Sequence, residues 1–179
     1  MKSAGTRGRL ERSSARMAAV DLPIIPTIAA LVRDNPGTIS LGQGVVDYGP
    51  PVDLASALKP LAEQPGLLKY QAVSGLPQLQ EALRGKLRAE NCIVDQSGTA
   101  LMVSAGSNMA FLQAVLAISD PGDEFILPSP YYFNQQMALR MCGCEPVLVP
   151  TDASYQLDLG AIEAAITDRT RAIVTVSPN

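Results

Sequence analysis

The sequence contains no histidine, which excludes Ser-His-Asp and Cys-His nucleophilic catalysis. Cysteine is also scarce: Cys92, Cys142 and Cys144 are the only three, and with no histidine beside them no metal site is expected. An odd number of cysteines, two of them in a Cys-Gly-Cys run, favours reduced thiols in the cytoplasm over a disulfide framework. No apolar run approaches the length of a membrane span, so no membrane partner is expected.

Charge of either sign is sparse, at 17% of residues, and the formal net charge is −3. The chain therefore has no general attraction for nucleic acid, which is not expected as a partner. The first 16 residues are basic and rich in Ser, Gly and Arg. Their short length and the acidic Glu11 favour a disordered tail over the alternative, an organelle transit peptide.

Strand and helix patterns alternate after residue 100. Apolar strands are expected at 100–103, 125–127, 146–149 and 172–176, and helices at 108–118, 132–141 and 159–166. Upstream helices are expected at 26–34, 54–61 and 76–90. Helix 108–118 is apolar almost all round and should be buried, Pro128 and Pro150 should end their strands, and Asp158 is an N-cap candidate. Continuously apolar strands joined by helices indicate a parallel sheet covered on both faces.

The run Ser104-Ala105-Gly106-Ser107-Asn108 lies between a predicted strand and a predicted helix. The first turn of a helix has free backbone N–H groups, and glycine lets an anion approach the backbone. Ser107 and Asn108 add side-chain donors. The pattern therefore fits a phosphate site, although an ordinary helix cap would use the same residues.

Three adjacent aromatic residues, Tyr131, Tyr132 and Phe133, follow the next predicted strand in a chain that is only 4% aromatic. Ligands of parallel sheets bind beyond the carboxyl ends of the strands, where a ring can stack on a planar group. The alternative is that these rings begin a helix and pack in the core.

Two further segments are weaker indications. Gly42 and Gly44 lie in an apolar extended run, which suggests either close approach of the backbone to a ligand or a plain turn. Tyr70 lies in a predicted loop, where its hydroxyl can donate to an anion, although a loop tyrosine is uninformative by itself.

The order of these segments resembles the class I/II aminotransferases of fold type I. The matching stretches are LGQGVVDYGPP (41–51), YQAVSGLPQLQEAL (70–83), SAGSNMAFLQAVLAISDPGDEFILPSPYYFNQQMAL (104–139) and RAIVTVSPN (171–179). The resemblance implies an α/β fold, three-layer α/β/α with a mostly parallel sheet. It also implies a disordered basic tail at 1–21, an N-terminal arm or small-domain segment at 22–52, and the first part of a large cofactor-binding domain at 53–179.

The implied cofactor is pyridoxal 5′-phosphate. By resemblance, the backbone at Ser107 and Asn108 holds its phosphate, Gly106 shapes the turn, and Tyr132 stacks on the pyridine ring. The position matching Tyr70 reaches the phosphate of a neighbouring subunit, which implies a homodimer. The backbone at the position matching Gly44 contacts the carboxylate of the substrate.

The implied reaction transfers an amino group from an amino acid to a 2-oxo acid, which are the expected small-molecule partners. None of the four lysines (Lys2, Lys59, Lys69 and Lys86) lies in a context like that of the family's Schiff-base lysine. We therefore expect the 179 residues to be part of a longer enzyme and to be inactive alone. No catalytic residue is expected among them. The alternatives are another fold-type-I enzyme, such as a lyase or a decarboxylase, and a non-enzymatic aminotransferase-like half.

Overall fold

The computed structural model describes residues 14–18, 20, 24–41, 46–93 and 98–177. Its helices are α1 (Ala15–Ala18), α2 (Ile24–Asp34), α3 (Leu54–Ala62), a 3₁₀ helix (Pro65–Leu68), α4 (Pro77–Glu90), α5 (Gly106–Ile118), α6 (Phe133–Met141) and α7 (Leu159–Ala164), and its strands are β1 (Glu124–Ser129), β2 (Glu145–Pro150) and β3 (Thr170–Ile173). The chain forms two compact units. One takes in the described residues up to position 22 and those from 105 onward, and the other takes in those between 23 and 104.

The first unit is built around a parallel sheet with the strand order β2-β1-β3. Ile126 of β1 pairs with Val147 of β2 on one side and with Ile173 of β3 on the other. Each connection between strands contains a helix, which is how parallel neighbours are joined. The predicted α/β class with a parallel sheet is confirmed.

The sheet lies between two helical layers because successive side chains of β1 point to opposite faces. Phe125 and Leu127 pack with Val115 of α5 and Leu139 of α6. Ile126 points the other way and packs with Ile162 of α7. All three β1 side chains are at most 1% exposed, so β1 is apolar on both faces and the unit has the predicted three-layer α/β/α arrangement.

The prolines of the sheet lie at positions where no strand pairing requires a backbone N–H donor. The N–H of Glu124 donates to the Arg169 carbonyl on the β3 side, so by the two-residue period Pro128 also faces that side. The β1–β3 pairing ends at Ile126, before Pro128 is reached. The prediction that Pro128 ends a strand at 125–127 is therefore wrong, since Pro128 lies inside β1, which continues to Ser129.

The prolines of β2 follow the same rule. The N–H of Glu145 donates to the carbonyl of Asp123, the residue before β1, and the N–H of Thr151 donates to Ser129 of β1. The nitrogens at even positions, Pro146 and Pro150, therefore face away from β1. Pro150 is the last residue of β2, one residue beyond the predicted 146–149.

Three other expectations need correction. Residues 100–103 do not form a strand; they are irregular, and the Val103 N–H donates to the carbonyl of Ser74. The last strand is Thr170–Ile173, rather than residues 172–176. Helix α5 is not buried all round, because only Val115 is fully covered and Leu116 is 64% exposed. Its apolar sequence does not reveal which side faces the sheet.

Two helices, α4 and α7, begin within one residue of their predicted starts. The Asp158 side chain accepts a hydrogen bond of 2.9 Å from the Ala161 N–H, so Asp158 is the N-cap of α7. Pro77 occupies the first position of α4, where a missing N–H costs nothing. Ala15–Ala18 forms one helical turn inside the segment predicted as a tail. The division of the chain at residues 21 and 52 stays a prediction.

The second unit contains α2, α3, the 3₁₀ helix and α4. Neither α2 nor α4 has a buried residue. Gly75 has φ of +108°, and a Cβ there would lie 2.6 Å from Cγ2 of Val103, so only glycine fits. Across the part of the chain that is described, no helix combines the length and the apolarity that crossing a membrane requires.

Candidate cofactor-binding site

Helix α5 begins at Gly106, the residue singled out in the sequence. Gly106 has φ of +82° and a Cβ added there would meet nothing within 4 Å, so the surrounding space is open. The N-cap residue Ala105 makes no side-chain hydrogen bond. Gly106, Ser107 and Asn108 are all exposed. The first turn of α5 therefore presents backbone donors and the positive end of a 13-residue helix on an open surface.

Tyr132 lies between β1 and α6, beyond the carboxyl end of the central strand. It is the N-cap residue of α6 in extended conformation, and 40% of its surface is exposed. Its ring centroid lies 5.2 Å from that of Phe133, with a tilt of 58° between the rings. Tyr132 is therefore partly accessible to solvent beside its tilted neighbour. The preceding Tyr131, by contrast, packs against the core, so the alternative that the aromatic residues are core residues holds for Tyr131.

A third side chain, Asn134, joins these two parts of the site. Its amide nitrogen donates to the Tyr132 hydroxyl at 2.7 Å and lies 3.5 Å from Oδ1 of Asn108. The start of α5 and the loop after β1 are therefore within one side chain of each other. Asn134 was not among the predicted site residues. Its position two residues after Tyr132, at the beginning of a helix, was the sequence signal that could have indicated it.

A cavity of about 750 Å³ lies at the carboxyl ends of all three strands. Its lining residues come from the end of β1 and from the segments that follow β1, β2 and β3: Pro128, Pro130, Tyr131, Gln135, Thr151, Tyr155, Gln156, Leu157 and Val174 to Ser177. Parallel sheets bind ligands at this edge. The cavity and the Tyr132 ring thus share the side of the sheet on which a substrate is expected.

The remaining predicted residues lie in the second unit or outside the described residues. Tyr70 belongs to the second unit and is fully exposed, with a relative accessibility of 106%. Gly44 lies outside the described residues. Lys59, Lys69 and Lys86 belong to the second unit as well, and the amine of Lys86 forms a surface ion pair with Glu90 at 2.8 Å.

A perturbed thiol lies at the other end of α6. Burial raises the pKa of Cys142 above its ordinary value of 9.0, and the neighbouring Cys144 raises it further, whereas Arg16 acts in the opposite direction. All three cysteines are free thiols, and Cys144 is buried. A raised pKa disfavours the thiolate, so Cys142 is not an activated nucleophile.

The sequence pattern of the family "Aminotransferase class I and II" matches residues 36–179. The chain belongs to the class I and II aminotransferases. The chain is 35% identical over 176 residues to the aromatic aminotransferase ISS1 of Arabidopsis thaliana, covering 96% of the chain and 43% of that protein. It is 33% identical to an aspartate aminotransferase of Rhizobium meliloti, covering 100% of the chain and 43% of the relative.

The crystal structure of the aspartate aminotransferase from Rhizobium meliloti superposes with a TM-score of 0.81 at 32% identity. The match covers 94% of this aminotransferase chain and 43% of the solved one. The N-succinyldiaminopimelate aminotransferase of Mycobacterium tuberculosis superposes with a TM-score of 0.80 at 27% identity. The chain therefore spans less than half the length of the relatives it matches.

The class I and II aminotransferases depend on pyridoxal phosphate, and the geometry of the site fits that group. A phosphate needs donors and positive potential, which an exposed helix start with an open glycine cradle supplies. A pyridine ring needs a flat apolar surface, for which the partly exposed ring of Tyr132 is suited. The Asn134 contacts keep both elements at one site.

Proposed function

We propose that this protein transfers an amino group from an amino acid to a 2-oxo acid with pyridoxal phosphate as cofactor. The observation that carries the proposal is the approach of the α5 start to the Tyr132 ring, joined through Asn134, in a chain of this family. Pyridoxal phosphate, when bound, supplies an electron-withdrawing ring that stabilises negative charge at the substrate α-carbon. The residues of the site bind and orient it.

Within this proposal, each residue of the site has one role. The backbone N–H groups of Ser107 and Asn108 donate to the phosphate, and Gly106 provides the turn that exposes them. Tyr132 covers one face of the pyridine ring and so fixes its tilt and excludes water from that face. These are positioning contributions, which lower the barrier by holding the reacting groups in one geometry.

The other proposed roles depend on the assembly. Tyr70 is fully exposed in the single chain. We assign it to the phosphate of a neighbouring subunit in a homodimer, a role that requires an exposed side chain before the two subunits associate. We assign to the backbone of Gly44 a contact with the substrate carboxylate. The free thiols of Cys92, Cys142 and Cys144 support a cytoplasmic location.

The 179 residues are proposed to bind the cofactor without turning over substrate. Transamination needs an amine that bonds to the cofactor and then moves the α-proton. Such a lysine is normally desolvated, which lowers its pKa. Lys86 has a half-exposed side chain and is paired with Glu90, and Lys59 and Lys69 are exposed as well, so none of the described lysines is desolvated.

The test uses two samples, the protein expressed from its complete gene and the 179-residue chain. Each is incubated with pyridoxal phosphate, a panel of amino donors and a panel of 2-oxo acids, and products are identified by mass spectrometry. The complete protein should form one new amino acid and one new 2-oxo acid in equal amounts, and only when both substrates are present. A 2-oxo acid formed together with ammonia, without a new amino acid and without need for a 2-oxo acid acceptor, would instead assign a lyase. Carbon dioxide released together with an amine would assign a decarboxylase. The 179-residue chain should form no product.

A further inference from the structure

Asn134 is the second residue of α6, and its side chain is half-buried between two parts of the proposed site. A primary amide carries two N–H donors. The Asn134 amide nitrogen donates to the Tyr132 hydroxyl oxygen at 2.7 Å. The same nitrogen lies 3.5 Å from Oδ1 of Asn108. A single side chain therefore contacts the residue proposed to cover the cofactor ring and a residue proposed to hold its phosphate.

We propose that Asn134 is a positioning residue that sets the orientation of Tyr132 and Asn108 toward the cofactor. This inference rests on the proposed function. The Tyr132 hydroxyl accepts a hydrogen bond from Asn134, and the Tyr132 ring also contacts the tilted Phe133 ring at a centroid distance of 5.2 Å. A ring restrained at two places loses less conformational freedom when it stacks on a ligand, which favours binding.

The direction of the hydrogen bond adds a chemical consequence for Tyr132. Because its oxygen accepts from Asn134, the hydroxyl proton of Tyr132 is directed elsewhere. That proton is available to an acceptor on a bound ligand. Asn134 thus determines which way the tyrosine O–H points.

The same argument applies to Asn108. Its Oδ1 faces Asn134, so its amide nitrogen, on the other branch of the planar group, points away. An outward N–H pair at the start of α5 complements the backbone donors that face an anion there. Without Asn134 the Asn108 amide is free to turn its oxygen toward the phosphate, which would repel it.

The alternative is that Asn134 only stabilises the start of α6. In that case its replacement would lower the melting temperature and leave ligand affinity unchanged. The N-cap position itself is occupied by Tyr132, which makes no side-chain capping bond. The contacts of the Asn134 amide nitrogen are with side chains of the site, so affinity should change more than stability.

The experiment measures binding of pyridoxamine 5′-phosphate to the 179-residue chain by titration calorimetry. This probe has an amine in place of the aldehyde and so does not react with exposed lysines. The variants are Asn134→Leu, which removes both donors at similar volume, Asn134→Gln, which keeps them, and Tyr132→Phe, which removes the acceptor and keeps the ring. Asn91→Leu, an exposed asparagine at the end of α4 in the other unit, is the matched control.

Asn134→Leu should raise Kd by about three- to tenfold, the effect of losing one ordered side chain. Asn134→Gln should recover part of that loss, and Asn91→Leu should bind like the unmodified chain. In the double variant Asn134→Leu/Tyr132→Phe, the second change should add less than about twofold, because both single changes remove the same contact. Melting temperatures of all variants, measured in parallel, show that they are folded.

Failure of the inference and failure of the proposed function give different results. If the unmodified chain does not bind pyridoxamine 5′-phosphate, the cofactor assignment is wrong and the role of Asn134 is lost with it. If the unmodified chain binds and Asn134→Leu binds equally well, only the inference is overturned. Fully additive losses in the double variant would also overturn it, since the two residues would then act separately.

Discussion

The buried carboxylate of Glu124 accepts a hydrogen bond from the Thr167 hydroxyl at 2.6 Å and forms an ion pair with Arg169. Glu124 begins the central strand β1, and Thr167 and Arg169 lie in the turn that leads into β3. The side chain of Glu124 is only 5% exposed, whereas that of Arg169 is 68% exposed. The carboxylate therefore connects the amino-terminal ends of two paired strands, at the edge of the sheet opposite the proposed site.

Replacing Glu124 by glutamine should lower the free energy of unfolding by about 1–3 kcal/mol, because hydrogen bonds to a charged group are lost while the site stays buried. Urea denaturation followed by circular dichroism measures this. Glu145→Gln is the matched control, since Glu145 is the register partner of Glu124 on β2 but is exposed. It should change the free energy by less than about 0.5 kcal/mol. Equal effects of the two variants would argue against a structural role for the Glu124 contacts.

Gly106→Ala should destabilise the protein by about 1–2 kcal/mol, because φ of +82° is unfavourable for any residue with a Cβ. The added methyl group meets no neighbour within 4 Å, so backbone strain is the whole effect. Gly85→Ala provides the opposite case: Gly85 lies inside α4, with open space and no positive φ. That variant should gain up to about 1 kcal/mol from helix propensity. Thermal unfolding of both variants measures the expected loss of stability in Gly106→Ala and the expected gain in Gly85→Ala.

Asp158→Ala should cost about 0.5–2 kcal/mol through loss of the N-cap bond to Ala161. Asp158→Asn keeps an acceptor oxygen in the same place and should retain most of the stability. Hydrogen exchange of the amides in α7, measured by mass spectrometry, locates the effect. Uniform destabilisation without faster exchange in α7 would contradict a capping role.

Alkylation of Cys142 by iodoacetamide should follow a pH profile whose midpoint lies above 9.0, because burial raises the pKa of this thiol and only the thiolate reacts. The raised pKa of Cys142 also makes the stability of the folded chain depend on pH. A raised pKa in the folded state means that the folded chain binds the proton more tightly than the unfolded chain. The resulting stabilisation is complete below pH 9.0 and is lost as the pH rises through the folded pKa.

Peptide mapping after alkylation across a pH series that brackets the ordinary thiol pKa of 9.0 measures the rate at Cys142. Denaturant titration over the same series measures stability. In Cys142→Ser the stability change above pH 9.0 should be smaller. A midpoint below 9.0 would show that the thiol is activated rather than suppressed.

Features that depend on a few neighbouring residues were predictable from the sequence. Pro77 at the first position of α4 and Asp158 as the cap of α7 act through the nearest turn of backbone, so their identity was sufficient. Strand β1 was recognised because a run buried on both faces is apolar at consecutive positions. Strand β2 also has an apolar run, although Leu148 within it is exposed. The parallel arrangement then follows from the helix between each pair of strands.

Features that depend on distant partners were not predictable in the same way. Residues 100–103 have an apolar strand pattern, but in the described structure Val103 packs against Gly75 instead of pairing in the sheet. The position of Pro128 inside β1 depends on where β3 stops pairing, far away in the sequence. Asn134 gains its importance only from the approach of Asn108, 26 residues upstream. The roles assigned to Gly106, Ser107, Asn108, Tyr132, Tyr70 and Gly44 stay predictions until ligand binding is measured.

The two prolines of β2 also determine how the sheet can be extended. Pro146 and Pro150 direct their nitrogens away from β1, so the outer border of β2 lacks two of the donors that an added strand would need. Between the two prolines only the N–H of Leu148 faces that border, which cannot complete a ladder, so unrelated chains are discouraged from attaching. Growth of the sheet, by any polypeptide, is therefore directed to the opposite border, alongside β3.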